Sequence, residues 1–225
     1  MKFKIFLFLS FLAVWIWAAI DPLFPHDWLL ENYLVFIFVP LIILLGRYLK
    51  LSNLSYGLIT IFMMMHVIGS HYTYVEVPFG YTLQDWLGAE RNMYDRLVHY
   101  SFGFILAYPI REFFMRVAHA KGFWSYFLPV DLTFAFSAIY EVIEWVIARK
   151  VSPEAGLAFL GSQGDVWDAQ KDMLLAGLGA IIAMIIVAAI NASLKKGFWK
   201  EMKESFKLSK DDRPLGEEEL TRMMK

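Results

Sequence analysis

Residues 91–117 read RNMYDRLVHYSFGFILAYPIREFFMRV, and they place Asp95, Arg96 and His99 at the front of an apolar run from about 94 to 117. A run of that length can cross the roughly 30 Å hydrocarbon layer as a helix. Asp95 and His99 are four residues apart and share one helix face. Ionisable groups at membrane depth are costly, so they face a partner, water or an ion rather than lipid. The residues that meet this polar front decide what kind of membrane protein the chain forms.

Five further apolar runs lie outside this one, at about 4–20, 30–49, 54–72, 127–149 and 172–194. Each is near spanning length, and a single segment in lipid must satisfy its own backbone polar groups, so each reads as a helix. The expected fold is all-α, a polytopic membrane bundle of six transmembrane helices over residues 1–196. A cytoplasmic tail follows at 197–225. Pro109 should kink the fourth span or end its regular part. Lys2 and Lys4 before Ile5–Ile20 look like the start of a signal peptide, but Ile20-Asp21-Pro22 is a poor small-residue cleavage site, so the first span is expected to be retained.

Composition agrees. Of 225 residues, 58% are hydrophobic and mean hydropathy is +0.48, above the share usual in soluble domains. A net charge of -1 argues against a nucleic-acid partner. The absence of cysteine removes disulfides, thiol catalysis and thiolate metal sites.

Lysine and arginine set the orientation. Lys2 and Lys4, then Arg47 and Lys50, then Arg111, Arg116 and Lys121, then Lys195, Lys196, Lys200 and Lys203 all fall on one side of a six-span chain. That side is expected to be cytoplasmic, with both termini on it, in a bacterial inner membrane. The opposite connections, Asp21–Glu31, Tyr72–Asp95 and Lys150–Lys171, are acidic or mixed. Trp17, Trp28, Trp86, Trp145 and Trp167 lie near the outer ends of spans, as an aromatic belt would. In the tail, Phe198, Met202 and Phe206 recur every four residues among lysines. This spacing suits a short amphipathic helix on the membrane surface. Asp211–Lys225 carries no strong fold signal.

This topology brings most of the polar residues of spans three to six to the outer side. His66, Ser70 and His71 end span three, and Asp95, Arg96 and His99 begin span four. Glu141 and Glu144 lie in the outer half of span five, and Asp165, Asp168 and Asp172 precede or begin span six. Asp131, Arg111 and Glu112 are the exceptions, at the cytoplasmic end. Imidazoles and carboxylates from facing helices are ligands for a divalent metal such as Zn or Mn. The expected ligands are His66, His71, Asp95, Glu141, Asp168 and Asp172. His99 and Glu144 are the candidate proton-transfer residues, and Arg96 the candidate clamp for an anionic head group. Structural roles compete with these. Asp95, Asp165 or Asp168 could cap a helix, and Arg96 could form an ion pair with Glu144.

The order Asp95-Arg96-Leu-Val-His99, Glu141-Val-Ile-Glu144-Trp145 and Gly164-Asp165-Val-Trp-Asp168-Ala-Gln-Lys-Asp172 resembles the YjdF-like bacterial inner-membrane proteins, over nearly the whole chain. The second half is also similar to VanZ-like proteins, with Arg96 where those more often carry Lys. The resemblance implies location and topology rather than a reaction. The leading functional expectation is a metal-assisted hydrolase or transferase acting on a membrane lipid or envelope substrate. A proton-coupled transporter and a structural or regulatory membrane protein are the alternatives.

Overall fold

A computed structural model describes residues 2–150, 156, 159–208 and 217–224. Its described elements are all helical: α1 Lys2–Ala19, α2 Pro25–Leu49, α3 Asn53–His71, α4 Pro78–Leu87, α5 Tyr94–Val117, α6 Trp124–Ala148, α7 Asp168–Leu194, α8 Phe198–Glu204 and α9 Glu217–Met223. Four of them, α1, α2, α3 and α7, are long and apolar enough to cross a membrane. With 24 and 25 residues, α5 and α6 have the length but not the apolar balance. They hold Asp95, Arg96 and His99, and Glu141 and Glu144.

Local signals account for the helix ends. Pro25 and Pro78 open α2 and α4, where a missing N–H costs nothing. The Ser52 hydroxyl caps α3 by accepting from the Ser55 amide at 3.2 Å. Gly88 closes α4 in the left-handed conformation that glycine adopts without penalty. The short helix α4 lies within the connection read from sequence only as acidic or mixed. Its ten residues are too few to register as a span.

The regular helix does not end at Pro109, since α5 continues to Val117. Pro109 is buried, and packing of the surrounding helices outweighs the local loss of one backbone hydrogen bond.

Two seams hold the bundle. α3 lies between α1 and α5, with Phe62 and Phe102 rings 5.6 Å apart and Val67 fully buried. α5 and α7 cross at small residues. The Gly103 face rests on the Ala176 carbonyl and the Ala180 amide, and Gly179 rests on the backbone of Tyr100 and Phe104. This is the close approach that Gly103, Ala107, Ala176 and Ala180 allow. At the far end of α5, Glu112 accepts hydrogen bonds from the Ser52 amide (2.9 Å), the Ser55 hydroxyl (2.6 Å) and Arg116 (2.7 Å), tying α3 to α5.

The tail helix α8 docks on the connection between α5 and α6. Phe198 is buried against Tyr126, the Phe206 ring lies tilted 4.9 Å from that of Phe123, and the Trp124 indole donates to the Ser205 carbonyl at 2.9 Å. Residues Asp211–Gly216 of the tail end lie outside the described residues.

Candidate functional site

The first turn of α5 and the first turns of α7 meet in a dense ion-pair knot. Arg96, with a side chain only 7% exposed, donates to the Asp168 carboxylate at 2.6 Å, the Asp168 carbonyl at 3.0 Å and Asp165 at 3.0 Å, and also pairs with Asp172. Arg91 pairs with Asp168 and lies 3.5 Å from Asp95, and it donates to the carbonyls of Gly161 and Ser162 at 3.2 Å. Arg96 therefore pairs with the aspartates of α7 and its preceding turn rather than with Glu144. The spacing of Asp165, Asp168 and Asp172 brings all three to one guanidinium, although α7 begins only at Asp168.

None of these aspartates caps its helix. The residue before α5 is Met93, and the Asn92 side chain accepts the Tyr94 amide at 3.0 Å. Asp165 instead accepts from the Trp167 amide at 3.0 Å and from Lys171 at 2.6 Å. The Lys171 bond, followed by the Trp167 amide, holds the Asp165 carboxyl below its ordinary value. A lowered folded-state pKa contributes stability above the unfolded value, near 3.9, that is lost as pH falls through the folded value. The turn at 165–167 is therefore expected to hold from pH 8 to pH 5 and loosen only below about pH 4. Amide hydrogen exchange at Trp167, corrected for intrinsic rate, checks this. A step near pH 6 would contradict it.

Beside the knot lies a second group. His99 Nε2 is 3.5 Å from Asp95 and 3.7 Å from Glu141. Ligating atoms of Asp95, His99 and Asp172 all lie within 4.8 Å of one another. Asp172 is 2% exposed, and its Oδ1 has no hydrogen-bond partner among the described residues; neither has Oε1 of Glu141. Buried carboxylate oxygens left without a partner are expensive unless a proton or cation meets them. Asp95, Arg96, His99, Glu141, Asp168 and Asp172 are thus brought together.

His66 lies in the same interior but is engaged elsewhere. Burial pushes the Tyr74 hydroxyl well above its ordinary range, so it stays protonated and donates to His66 Nδ1 at 2.5 Å. His66 Nε2 then donates to the Glu31 carbonyl at 3.2 Å. Both ring nitrogens are occupied. His71 is set apart from the group, with Nδ1 3.1 Å from the Ala18 carbonyl and its ring 4.7 Å from that of Trp17. Glu144 lines the central cavity with Asp95, His99 and Asp172.

Four polar contributors escaped the sequence reading. Glu31 is buried in α2 and accepts from the Tyr140 hydroxyl at 2.8 Å. An acid inside the run 30–49 was the available signal, but it sat at the edge and read as connection. Arg91 and Tyr140 gave no signal apart from residue type. Asn92 exchanges backbone-to-amide bonds with Gln163 at 2.9 and 3.2 Å, which fastens the 161–164 turn to the start of α5.

Comparisons with known proteins point to a membrane protein. Residues 3–193 match the family described as "Predicted membrane protein (DUF2238)". The chain is 38% identical over 177 residues to Inner membrane protein YjdF of Escherichia coli (strain K12), covering 77% of this chain and 84% of that protein. No solved structure matches. The match over most of its length shows that the chain belongs to the DUF2238 family of membrane proteins.

Proposed function

We propose that this membrane protein spans the bacterial inner membrane six times, with both termini cytoplasmic, and uses a divalent metal in a hydrolase or transferase reaction on a lipid or envelope substrate. The orientation rests on the lysines and arginines of alternate connections. The metal reading rests on one observation: ligating atoms of Asp95, His99 and Asp172 lie within 4.8 Å of one another, where Asp172 Oδ1 has no hydrogen-bond partner among the described residues. One imidazole and two carboxylates are a ligand set suited to Zn²⁺ or Mn²⁺.

In this reading Asp95, His99 and Asp172 hold the metal. Glu141, next to His99, and Glu144 move protons. Arg96 keeps Asp165, Asp168 and Asp172 in place, so it acts as a positioning residue. Carboxylates outnumber cations around the site: Asp95, Asp165, Asp168, Asp172, Glu141 and Glu144 face Arg91, Arg96 and Lys171. A divalent cation reduces that excess.

Elemental analysis of protein purified in metal-replete medium tests the site. Zn or Mn is expected near one equivalent in the wild type. His99→Ala and Asp172→Asn should each reduce it at least tenfold, in the range seen for loss of a metal-site residue. Folded wild-type protein free of Zn, Mn and Fe would remove the metal.

A further inference from the structure

A cavity of about 620 Å³ runs through the bundle between α2, α3, α5 and α6. Its lining extends from Asp27 to Leu49 along α2, about 33 Å at 1.5 Å per residue. That matches the roughly 30 Å hydrocarbon layer. The two ends differ in chemistry. One end presents Glu31, Asp95, His99, Glu144 and Asp172, and the remainder is apolar apart from Ser137, down to Leu49, Leu51 and Phe113. Phe38, Phe102 and Leu106 line the middle.

The cavity has a side entrance. α2 and α6 face each other across it and are joined at the polar end by the Tyr140–Glu31 hydrogen bond of 2.8 Å. Beyond that bond Leu41, Phe136 and Ile139 line the cavity and are also 44%, 50% and 52% exposed. Side chains that face both ways form the rim of an opening, and in a membrane that opening meets acyl chains.

The polar end selects the head group. No lysine or arginine is among the described lining residues. Arg91 and Arg96, the nearest cations, are taken up by aspartates. The Tyr74 and Tyr140 hydroxyls already donate to His66 and Glu31. What remains is mainly carboxylate oxygen, including the unpartnered Oδ1 of Asp172, with the His99 imidazole beside it and the unpartnered Ser137 hydroxyl along the wall. Such a chamber favours hydrogen-bond donors, and a bare anion entering it would be desolvated with no free lysine or arginine among the described lining residues to meet it. A single divalent cation on Asp95, His99 and Asp172 still leaves Glu31 and Glu144 facing the chamber.

We infer that the cavity binds a long-chain amphiphile with an uncharged, hydroxyl-bearing or cationic head, which enters sideways between α2 and α6 and lays its chain along the apolar trough. The inference rests on the lipid-directed reading above and names the class of lipid. It excludes lipids with a bare carboxylate or phosphate head.

Two photoreactive probes with the same sixteen-carbon diazirine chain, a monoacylglycerol and a free fatty acid, test it in full-length protein reconstituted in phosphatidylcholine liposomes at pH 7.5. The glyceryl probe should label Phe38, Phe102, Leu106 or Phe136 at least tenfold more than the fatty acid does. Leu106→Trp, which fills the trough, should reduce that labelling tenfold. Leu41→Trp narrows the rim at an exposed position that tolerates bulk, so it should do the same in a folded protein. Equal labelling by both probes, preference for the fatty acid, or labels confined to outward-facing Ile37 and Ile43 would overturn the inference. Wild-type protein that labels as expected but carries no metal would remove the metal site alone.

Discussion

Arg96→Ala is expected to destabilise the protein by about 3–5 kcal/mol, the range for removing one partner of a buried ion pair. The loss strands Asp165, Asp168 and Asp172 together, and the last of these has no other lysine or arginine in contact among the described residues. It also releases the start of α7 from the start of α5. Arg96→Lys should recover only part of this, because a single ammonium cannot reproduce the forked contacts to three carboxylates. Arg116→Ala is the comparison. Its guanidinium pairs with Glu112 but is 47% exposed, so the expected cost is below about 1 kcal/mol. Thermal unfolding in detergent, followed by loss of monodisperse protein, measures both. An Arg96→Ala shift no larger than that of Arg116→Ala would show that the knot does not hold the helices together.

The second large effect is steric. A β-carbon on Gly103 would fall on the Ala176 carbonyl oxygen, 2.7 Å from the Ala180 amide nitrogen. Both are backbone atoms and cannot rotate aside. Gly103→Ala is expected to cost about 1–3 kcal/mol, and Gly103→Val more, because α5 and α7 must separate. Gly57 in α3 provides the control, since an added β-carbon there meets nothing within 4 Å. Gly57→Ala should be neutral or gain up to about 1 kcal/mol from helix propensity. Abundance of membrane-inserted protein and its melting midpoint report the difference. Equal tolerance at the two glycines would mean the close crossing does not form.

Gly103 and Arg96 also mark two degrees of legibility in the chain. The small-residue spacing at Gly103, Ala107, Ala176 and Ala180 was visible from sequence, but such spacing is common. Only the crossing of α5 on α7 shows which faces meet. For Arg96 the aspartates it pairs with were visible as candidates, but Arg91 was not, and neither was the pairing. The sequence expectation of an anion clamp rests on an arginine with free donors, whereas the folded chain engages it with Asp165, Asp168 and Asp172. His66 and His71 illustrate the same limit. Both are histidines near the C-terminal end of α3, yet one is saturated by Tyr74 and Glu31 and the other bonds to Ala18.

Sequence alone determined that the chain is all-helical and that it is a membrane protein. Those properties follow from the length and hydropathy of single segments, which each helix carries independently of its neighbours. The rotation of each helix about its own axis was left to tertiary packing. That rotation depends on residues far apart in the chain, and it decides whether a carboxylate at the right depth faces a guanidinium, a histidine or the cavity. The trough between α2 and α6 and its acidic end exist only once the helices are packed.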